Sequence, residues 1–438
     1  MPRPAGTAPA RAPRVPKVPP DRLTTGRRRG MIQGERGAAT VSRAADRSGR
    51  GAAGGSEEAC DAVGLVDDLL TRGVESGASD IHFEPTADAL VVKFRLDGML
   101  SVVEELPAVL AGNVISRLKV LGGLLTYRND IPQEGRIDAR PPGSPGVTDQ
   151  RLSIFPTIYG QRAVVRILYE EAALTELSQL GLPEHIHEAL RRIAAASEGV
   201  LLLTGPAGSG KSTTLAAILR HIVRQCPGKS LVALEDPVER HVAGVTQVQI
   251  TPHGQMTFPT ALRSLLRQDP EVLMIGEIRD AETARIAVEA GLTGHLVLST
   301  LHSGAPAGAL LRLLEMGIEP YQVTSSIRAV ANQRLVRKLC EACRRPAAGA
   351  ARRWEPAGCD ACFQTGFRGR ALIAEMVQLD GELRKAILAK ADLDTLGRIL
   401  AARGHMSLRQ VGSRLVAGGV TTQQELRRVC GAADDGEE

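Results

Sequence analysis

Aromatic residues and long apolar runs are the features that this 438-residue chain has least of. Phe, Trp and Tyr make up 3% of the residues, which leaves little surface for stacking on nucleic-acid bases. No run of 18 apolar residues occurs, and nothing near the N-terminus resembles the apolar core of a signal peptide. We therefore expect a cytoplasmic protein that binds no nucleic acid stably and touches a membrane only through partners.

Acidic residues are scarce in residues 1–55, although the whole chain is only mildly basic, with a formal net charge of +5. This segment contains many arginines, such as Arg27, Arg28 and Arg29, and almost no large apolar side chains. It cannot bury enough surface to offset its ordering entropy, which predicts a disordered basic tail. The tail is either simply solvated or in contact with anionic lipid or nucleic acid, and Met31 could be the true start.

Cysteine is infrequent, but four of the seven cysteines form a pattern. Cys340 and Cys343 make one Cys-x-x-Cys pair, and Cys359 and Cys362 make a second pair fifteen residues later. Two such pairs at this spacing favour a tetrahedral thiolate cage for Zn²⁺, with a structural role and no open coordination position. A redox role is the alternative, although it would need a separate explanation for each pair.

The most informative motif follows the apolar run 200–203 and fits the G-x-x-x-x-G-K-[ST] phosphate loop at every fixed position. It consists of Gly205, Pro206, Ala207, Gly208, Ser209, Gly210, Lys211 and Ser212, with Thr213 next in the chain. Glycines let backbone N–H groups surround a phosphate, and the following helix adds partial positive charge at its N-terminus. Lys211 would contact the β- and γ-phosphates, and the Ser212 hydroxyl would bind Mg²⁺. The motif predicts binding of a nucleoside triphosphate.

Three further buried strands end in polar residues that suit phosphoryl chemistry. The run 231–234 ends in Glu235, and the run 272–276 ends in Glu277. A third run, 296–300, lies between His295 and His302. Together with the phosphate loop, these endings predict a parallel sheet with its ligands at the carboxyl edge.

The chain divides into five predicted blocks. Asp97-Gly98 between two alternating runs indicates a β-hairpin in the first folded block. The blocks are a basic tail (1–55), an α+β lobe (56–172), the phosphate-loop domain (173–335), a four-cysteine module (336–375) and a helical region (376–438).

From about residue 60 to 430 the chain resembles the ATPases of type II secretion and type IV pilus assembly. The matching motifs lie at 78–85, 94–98, 132–136, 205–214, 234–239, 262–270, 276–280, 293–302 and 333–337. The four cysteines favour the assembly and secretion branch over pilus-retraction ATPases, which lack that module. The resemblance implies an α/β fold with a RecA-like P-loop core, a preceding small PAS-like α+β lobe, a zinc-binding insertion and a helical C-terminus.

The resemblance also implies a cytoplasmic homo-hexamer, peripheral to the inner membrane, that hydrolyses ATP and acts on an inner-membrane platform protein. Glu277 would polarise the attacking water, Glu235 would be a second acid near the metal, and His295 and His302 would sense the γ-phosphate. Arginines of the first lobe would complete the site, and the candidates are Arg136, Arg151 and Arg166.

Some features depart from the family pattern. Members usually carry a further N-terminal docking domain, where here we expect only the basic tail. Ser303-Gly304 stands where Thr-Asn is common, and Gln161 stands where a glutamate is usual. The favoured function is a motor for pseudopilus or pilus assembly. The alternatives are a nucleotide-binding regulatory or adaptor subunit with slow turnover, and a pilus-linked DNA-uptake motor.

Overall fold

The computed structural model describes residues 62–137, 147–169, 176–250, 256–347 and 353–431. The predicted basic tail lies outside these residues, as does the first part of the segment that leads into the phosphate-loop domain.

The first lobe is a six-stranded antiparallel sheet in the order β3-β2-β1-β6-β5-β4. The strands are β1 (Asp80–Pro85), β2 (Ala89–Leu96), β3 (Met99–Pro107), β4 (Gln133–Arg136), β5 (Val147–Thr157) and β6 (Gly160–Tyr169). Two helices, α1 (Ala62–Glu75) and α2 (Ala111–Leu121), share its apolar core, which includes Leu69, Phe83 and Leu118. Asp97 and Gly98 both have positive φ, 48° and 87°, as a tight hairpin turn requires. The predicted hairpin is confirmed.

The second sheet has seven strands in the order β15-β12-β7-β11-β10-β8-β9. They are β7 (Gly199–Thr204), β8 (Leu231–Glu235), β9 (Thr246–Gln249), β10 (Val272–Ile275), β11 (Leu296–Leu301), β12 (Ile327–Leu339) and β15 (Phe367–Gln378). The central strands β8, β10, β11 and β7 run parallel, which confirms the predicted parallel sheet. Every residue of β7 and β11 is buried, because helices cover both faces of the sheet.

Helices complete the phosphate-loop domain and the C-terminal region. Those of the domain are α3 (Glu184–Ala194), α4 (Lys211–Gln225), α5 (Phe258–Leu265), α6 (Ala281–Leu292), α7 (Pro306–Glu315) and α8 (Pro320–Ser326). The C-terminal ones are α9 (Gly381–Leu388), α10 (Leu393–Ala402), α11 (Leu408–Ala417) and α12 (Gln423–Cys430). The helical pattern predicted for this region is therefore present from Gly381 onward.

The cysteine segment is an insertion between two strands of the central sheet. Strands β12 and β15 flank it and pair with each other in antiparallel fashion. The boundaries predicted at 335/336 and 375/376 fall inside these two strands, so the insertion itself is limited to residues 340–366. It contains a short ribbon, β13 (Arg345–Pro346) and β14 (Trp354–Glu355).

Candidate active site

The phosphate loop lies between β7 and α4, at the carboxyl edge of the central sheet. Gly205, Gly208 and Gly210 all have positive φ, which side chains other than glycine rarely adopt. At Gly205 a Cβ atom would lie 2.4 Å from the carbonyl oxygen of Gln333 on β12. The Lys211 ammonium donates to the carbonyl oxygens of Gly205 and Pro206, at 2.8 and 2.9 Å. The local sequence thus produces the curled loop that the motif predicts.

Glu277 and His302 meet beside this loop. Glu277 follows β10, and His302 follows β11. The His302 Nε2 atom lies 3.1 Å from Glu277 Oε2, and Arg279 forms an ion pair with the other carboxylate oxygen. The two neighbouring parallel strands end at the same edge, so their terminal residues come together. The structure therefore pairs one predicted acid with one predicted histidine.

Glu235, the last residue of β8, is buried at the same edge. Burial raises the pKa of its carboxyl group, and a hydrogen bond from Gln247 Nε2 at 3.0 Å only partly opposes this. Burial also lowers the pKa of Lys211, against the attraction of Glu277 and Glu239. Both shifts have burial as their largest cause, so they identify a partly desolvated site.

These residues line one cleft of about 470 Å³, which is within the size range of small-molecule sites, about 300–1,000 Å³. The cleft contains most of the predicted nucleotide-binding set, namely Ala207, Gly208, Gly210, Lys211, Ser212 and Thr213, together with Glu235, Glu277 and His302. Gly205, Pro206 and Ser209 shape the loop behind it. The cleft also contains Glu239, Arg240 and Arg370, which have no predicted role. Arg370 comes from β15, and no local signal in the sequence connects it with the phosphate loop.

His295 lies away from this cleft, so the structure does not support its prediction as a γ-phosphate sensor within one chain. It precedes β11, and its carbonyl oxygen accepts a hydrogen bond from Gly199, the first residue of β7. Both positions are at the amino edge of the sheet. A six-residue strand separates this edge from the cleft by about 20 Å. The ring nitrogen Nδ1 instead lies 3.2 Å from the Ala290 carbonyl oxygen.

The three predicted arginines do not line the cleft either. They form a row across the outer face of the first lobe, because Arg136 is opposite Arg151 and Arg151 is opposite Arg166 in the strand register. Their side chains are about two-thirds exposed. Arg136 and Arg151 share Asp149, at 2.7 and 3.2 Å, and Arg166 pairs with Asp80 at 3.0 Å. Burial alone would raise the pKa of Asp80, but the hydrogen bonds from Arg166 and Ser79 and the nearby charges of Arg166 and Arg95 together outweigh burial, so the pKa is lowered.

The four patterned cysteines converge in space. Their sulfur atoms all lie within 4.8 Å of one another, and three pairs are 3.7 to 3.9 Å apart. Four thiolates around Zn²⁺ at bonds of about 2.3 Å would have sulfurs about 3.8 Å apart. Backbone N–H groups of Cys359 and Gly366 also donate to the Cys362 sulfur. The donor set and its spacing fit a tetrahedral zinc site.

Comparison with known proteins agrees with this geometry. A family model described as "Type II/IV secretion system protein" matches residues 57–428. The chain belongs to this family. It is 40% identical to the type II secretion system protein HxcR of Pseudomonas aeruginosa, over 85% of this chain and 78% of that protein. It is also 40% identical to the type IV pilus assembly ATPase PilB of Thermus thermophilus, over 83% of this chain but 42% of PilB.

Solved structures show the same fold. The ATPase DotB of Legionella pneumophila matches with a TM-score of 0.63 at 23% identity, covering 86% of this chain and 98% of DotB. The pilus retraction motor PilT with bound ADP matches with a TM-score of 0.55 at 24% identity, covering 84% of this chain and 97% of PilT. The predicted family resemblance, the α/β P-loop fold and the enzyme class, an ATP hydrolase of the secretion and pilus-assembly family, are confirmed. Within the described ranges, no helix is both long enough and apolar enough to span a membrane.

Proposed function

We propose that this protein is a subunit of a homo-hexameric ATPase motor that powers assembly of a type II secretion pseudopilus or a type IV pilus. The observation that carries the proposal is the cleft in which the phosphate loop faces Glu277 and His302. The names of the relatives, a type II secretion protein and a type IV pilus assembly ATPase, support the two alternative filaments.

Each residue of the cleft has a separate role in ATP hydrolysis. Backbone N–H groups of the phosphate loop and the Lys211 ammonium hold the β- and γ-phosphates, and Ser212 would hold Mg²⁺, which neutralises developing charge. Glu277 orients and polarises the attacking water. His302 donates to the Glu277 carboxylate. Because the two side chains are in contact, a movement of Glu277 on loss of the γ-phosphate would also move His302.

Glu235 is a second acid beside the metal position. Its carboxyl pKa is raised by burial, so a bound cation would favour its ionised form. We propose that Glu235 supports the metal rather than activating water, because Gln247 already occupies one of its oxygens.

The row of arginines completes the site in one of two ways. Either the first lobe moves towards the cleft of its own chain, or the row reaches the cleft of a neighbouring subunit. Like charges directly opposite each other destabilise a sheet. Three guanidinium groups in register, with Asp149 and Asp80 as carboxylate partners, therefore form a surface suited to a polyanion such as a triphosphate. Well-placed arginines contribute about 10³–10⁵ in rate to phosphoryl transfer.

The proposed ring works at the cytoplasmic face of the inner membrane, where it would act on a platform protein of the secretion or pilus system. Membership of the secretion family supports this location. We also propose that Cys340, Cys343, Cys359 and Cys362 hold a structural Zn²⁺, since their sulfur spacing matches a tetrahedral thiolate cage.

The proposal is tested by steady-state ATPase activity measured against protein concentration, with sizing of the same samples. The matched variants are Glu277→Gln and Glu289→Gln, the latter an exposed acid of α6 outside the cleft. We expect turnover to rise with hexamer formation, to fall by about 10²–10⁴ in Glu277→Gln and to be unchanged in Glu289→Gln. ATP binding by a monomer that never turns over would support the regulatory or adaptor alternative.

The role of the arginine row is tested with Arg151→Ala. We expect it to lower kcat while the protein still forms rings. Partial recovery of activity on mixing Arg151→Ala with Glu277→Gln would assign the row to a neighbouring subunit, and no recovery would assign it to the same chain. Unchanged kcat in Arg151→Ala would remove this residue from the site.

A further inference from the structure

A series of hydrogen bonds, part-buried at the loop and buried further in, leads from the loop that carries His302 to the first residue of α11. The loop residue Gly304 accepts a hydrogen bond from Asn332 Nδ2 at 2.8 Å. The same nitrogen donates to Glu375 Oε1 at 2.7 Å. Glu375 Oε2 then accepts from the backbone N–H of Leu408 at 3.2 Å. Four groups thus connect the nucleotide cleft with a helix of the C-terminal region.

Asn332 occupies the central position of this series. It lies on β12, is fully buried, and is paired with Thr204 on β7 and with Glu375 on β15. Thr204 directly precedes the phosphate loop. Because Gly304 and Glu375 both offer oxygen acceptors, the amide nitrogen of Asn332 must face them. The next residue, Gln333, donates to the Ser209 carbonyl oxygen in the phosphate loop at 2.9 Å. Strand β12 therefore contacts both loops of the cleft.

Glu375 connects β15 to the C-terminal region through Oε2, while its Oε1 accepts from Asn332. The carboxylate is buried, and His405 Nε2 lies 3.3 Å from Oε2. Leu408 is the first residue of α11, and its side chain belongs to a small core with Val336. A carboxylate is favoured at a helix N-terminus by the unpaired N–H groups there. Movement of Glu375 would consequently be transmitted to the start of α11.

Asn332 and Glu375 are polar residues buried in the interior of the sheet, where apolar side chains are usual. A buried carboxylate and a buried amide both lose hydration, and an apolar pair of similar volume would pack without that penalty. Asn332 Oδ1 also finds no hydrogen-bond partner within the described part of the chain. Packing alone therefore does not account for this pair of residues.

We infer that Asn332 and Glu375 are positioning residues that hold the His302 loop and the N-terminus of α11 in one arrangement. Hydrolysis or loss of the γ-phosphate would then be transmitted to α11 and α12. The inference rests on the proposed role of the cleft in ATP hydrolysis. Couplings between protein sites typically correspond to about 5- to 150-fold effects, which sets the size of the expected response.

The test is amide hydrogen exchange of the full-length Glu277→Gln protein with and without Mg-ATP. Asn332→Ala and Glu375→Gln are each added to this background. Ser407→Ala is the matched control, because Ser407 caps α11 through Gln410 without contacting the series. We expect ATP to protect the phosphate loop and to change exchange at Leu408–Val411 by about 5-fold or more. The first two variants should keep the protection and lose the α11 response.

The control should exchange faster at α11 without nucleotide yet keep its response to ATP. The double variant Asn332→Ala/Glu375→Gln should lose no more of the α11 response to ATP than either single variant, since both residues act through one contact. An α11 response that persists in both single variants, or that is absent from the parent despite a protected phosphate loop, overturns the inference. No protection of the phosphate loop in the parent contradicts the proposed function itself, and the inference falls with it.

Discussion

The carboxylate of Glu425 on α12 joins the C-terminal helices to the central sheet. Its side chain is completely buried and accepts hydrogen bonds from Arg337 Nη2 at 2.8 Å and from Arg428 Nη2 at 2.6 Å. Burial would raise the pKa of Glu425, but these arginine hydrogen bonds outweigh burial and lower it to about 2. The folded state therefore strongly favours the ionised form of this carboxylate.

The stabilisation can be worked out from this pKa. The ordinary value is 4.5 and the folded value is about 2. At about 1.4 kcal/mol for each unit of pKa difference, the ionised carboxylate stabilises the folded state by about 3 kcal/mol at neutral pH. Because the folded pKa is the lower one, this stabilisation is present in full above about pH 4.5 and is lost as the pH falls towards 2. We expect Glu425→Gln to lose it at pH 7, because the uncharged amide leaves both arginines without their charge partner.

Trp354, the only tryptophan of the chain, reports this docking. Its ring lies so close to Gly419, between α11 and α12, that a Cβ atom there would be 2.5 Å from Trp354 Cδ1. Arg344 lies over the same ring and donates to the Gly419 carbonyl oxygen. Tryptophan fluorescence in urea therefore follows release of the C-terminal helices. With a slope of about 1–3 kcal/mol per M, the midpoint should fall by about 1–3 M in Glu425→Gln at pH 7.

The pH dependence separates this explanation from simple loss of packing. The difference in urea midpoint between the wild type and Glu425→Gln should become smaller below about pH 4.5 and disappear near pH 2. Glu289→Gln, which changes an exposed acid of α6 outside its first turn, is the control and should not shift the midpoint. Equal midpoints at pH 7, or a gap of constant size down to pH 2.5, would refute the reasoning.

Three further predictions concern the nucleotide cleft and the zinc site. Gly205→Ala should abolish binding of a fluorescent ATP analogue, because the new Cβ would lie 2.4 Å from the Gln333 carbonyl oxygen; affinity like that of the wild type would show that the loop can relax. In an ATPase assay His302→Ala should lower kcat, whereas His295→Ala at the opposite edge should not. A lower kcat in His295→Ala alone would support the prediction that His295 senses the γ-phosphate. Removal of zinc by a chelator should shift Trp354 emission while ATP binding persists; an unchanged spectrum with confirmed metal loss would contradict a structural role.

Much of the nucleotide site was predictable because its chemistry is local. The phosphate loop needs glycines at three positive-φ positions and a lysine at the start of a helix, and these needs appear directly in consecutive residues. Glu277 and His302 were predictable as well, since each follows a buried apolar run. Parallel strands bring such endings to one edge. The Asp97-Gly98 turn is a similar case, because the dipeptide itself favours the backbone angles that the hairpin requires.

Other features depended on strand direction and register, which no local segment specifies. His295 and His302 lie at the two ends of one strand, and only the direction of β11 in the sheet decides which of them faces the cleft. Arg370 reaches the cleft because β15 returns beside β12 after the cysteine insertion. The sequence by itself determined the phosphate loop, the acids, the cysteine pairs and the family. Only the tertiary structure decided which distant residues meet, because long-range strand pairing depends on packing of the whole sheet.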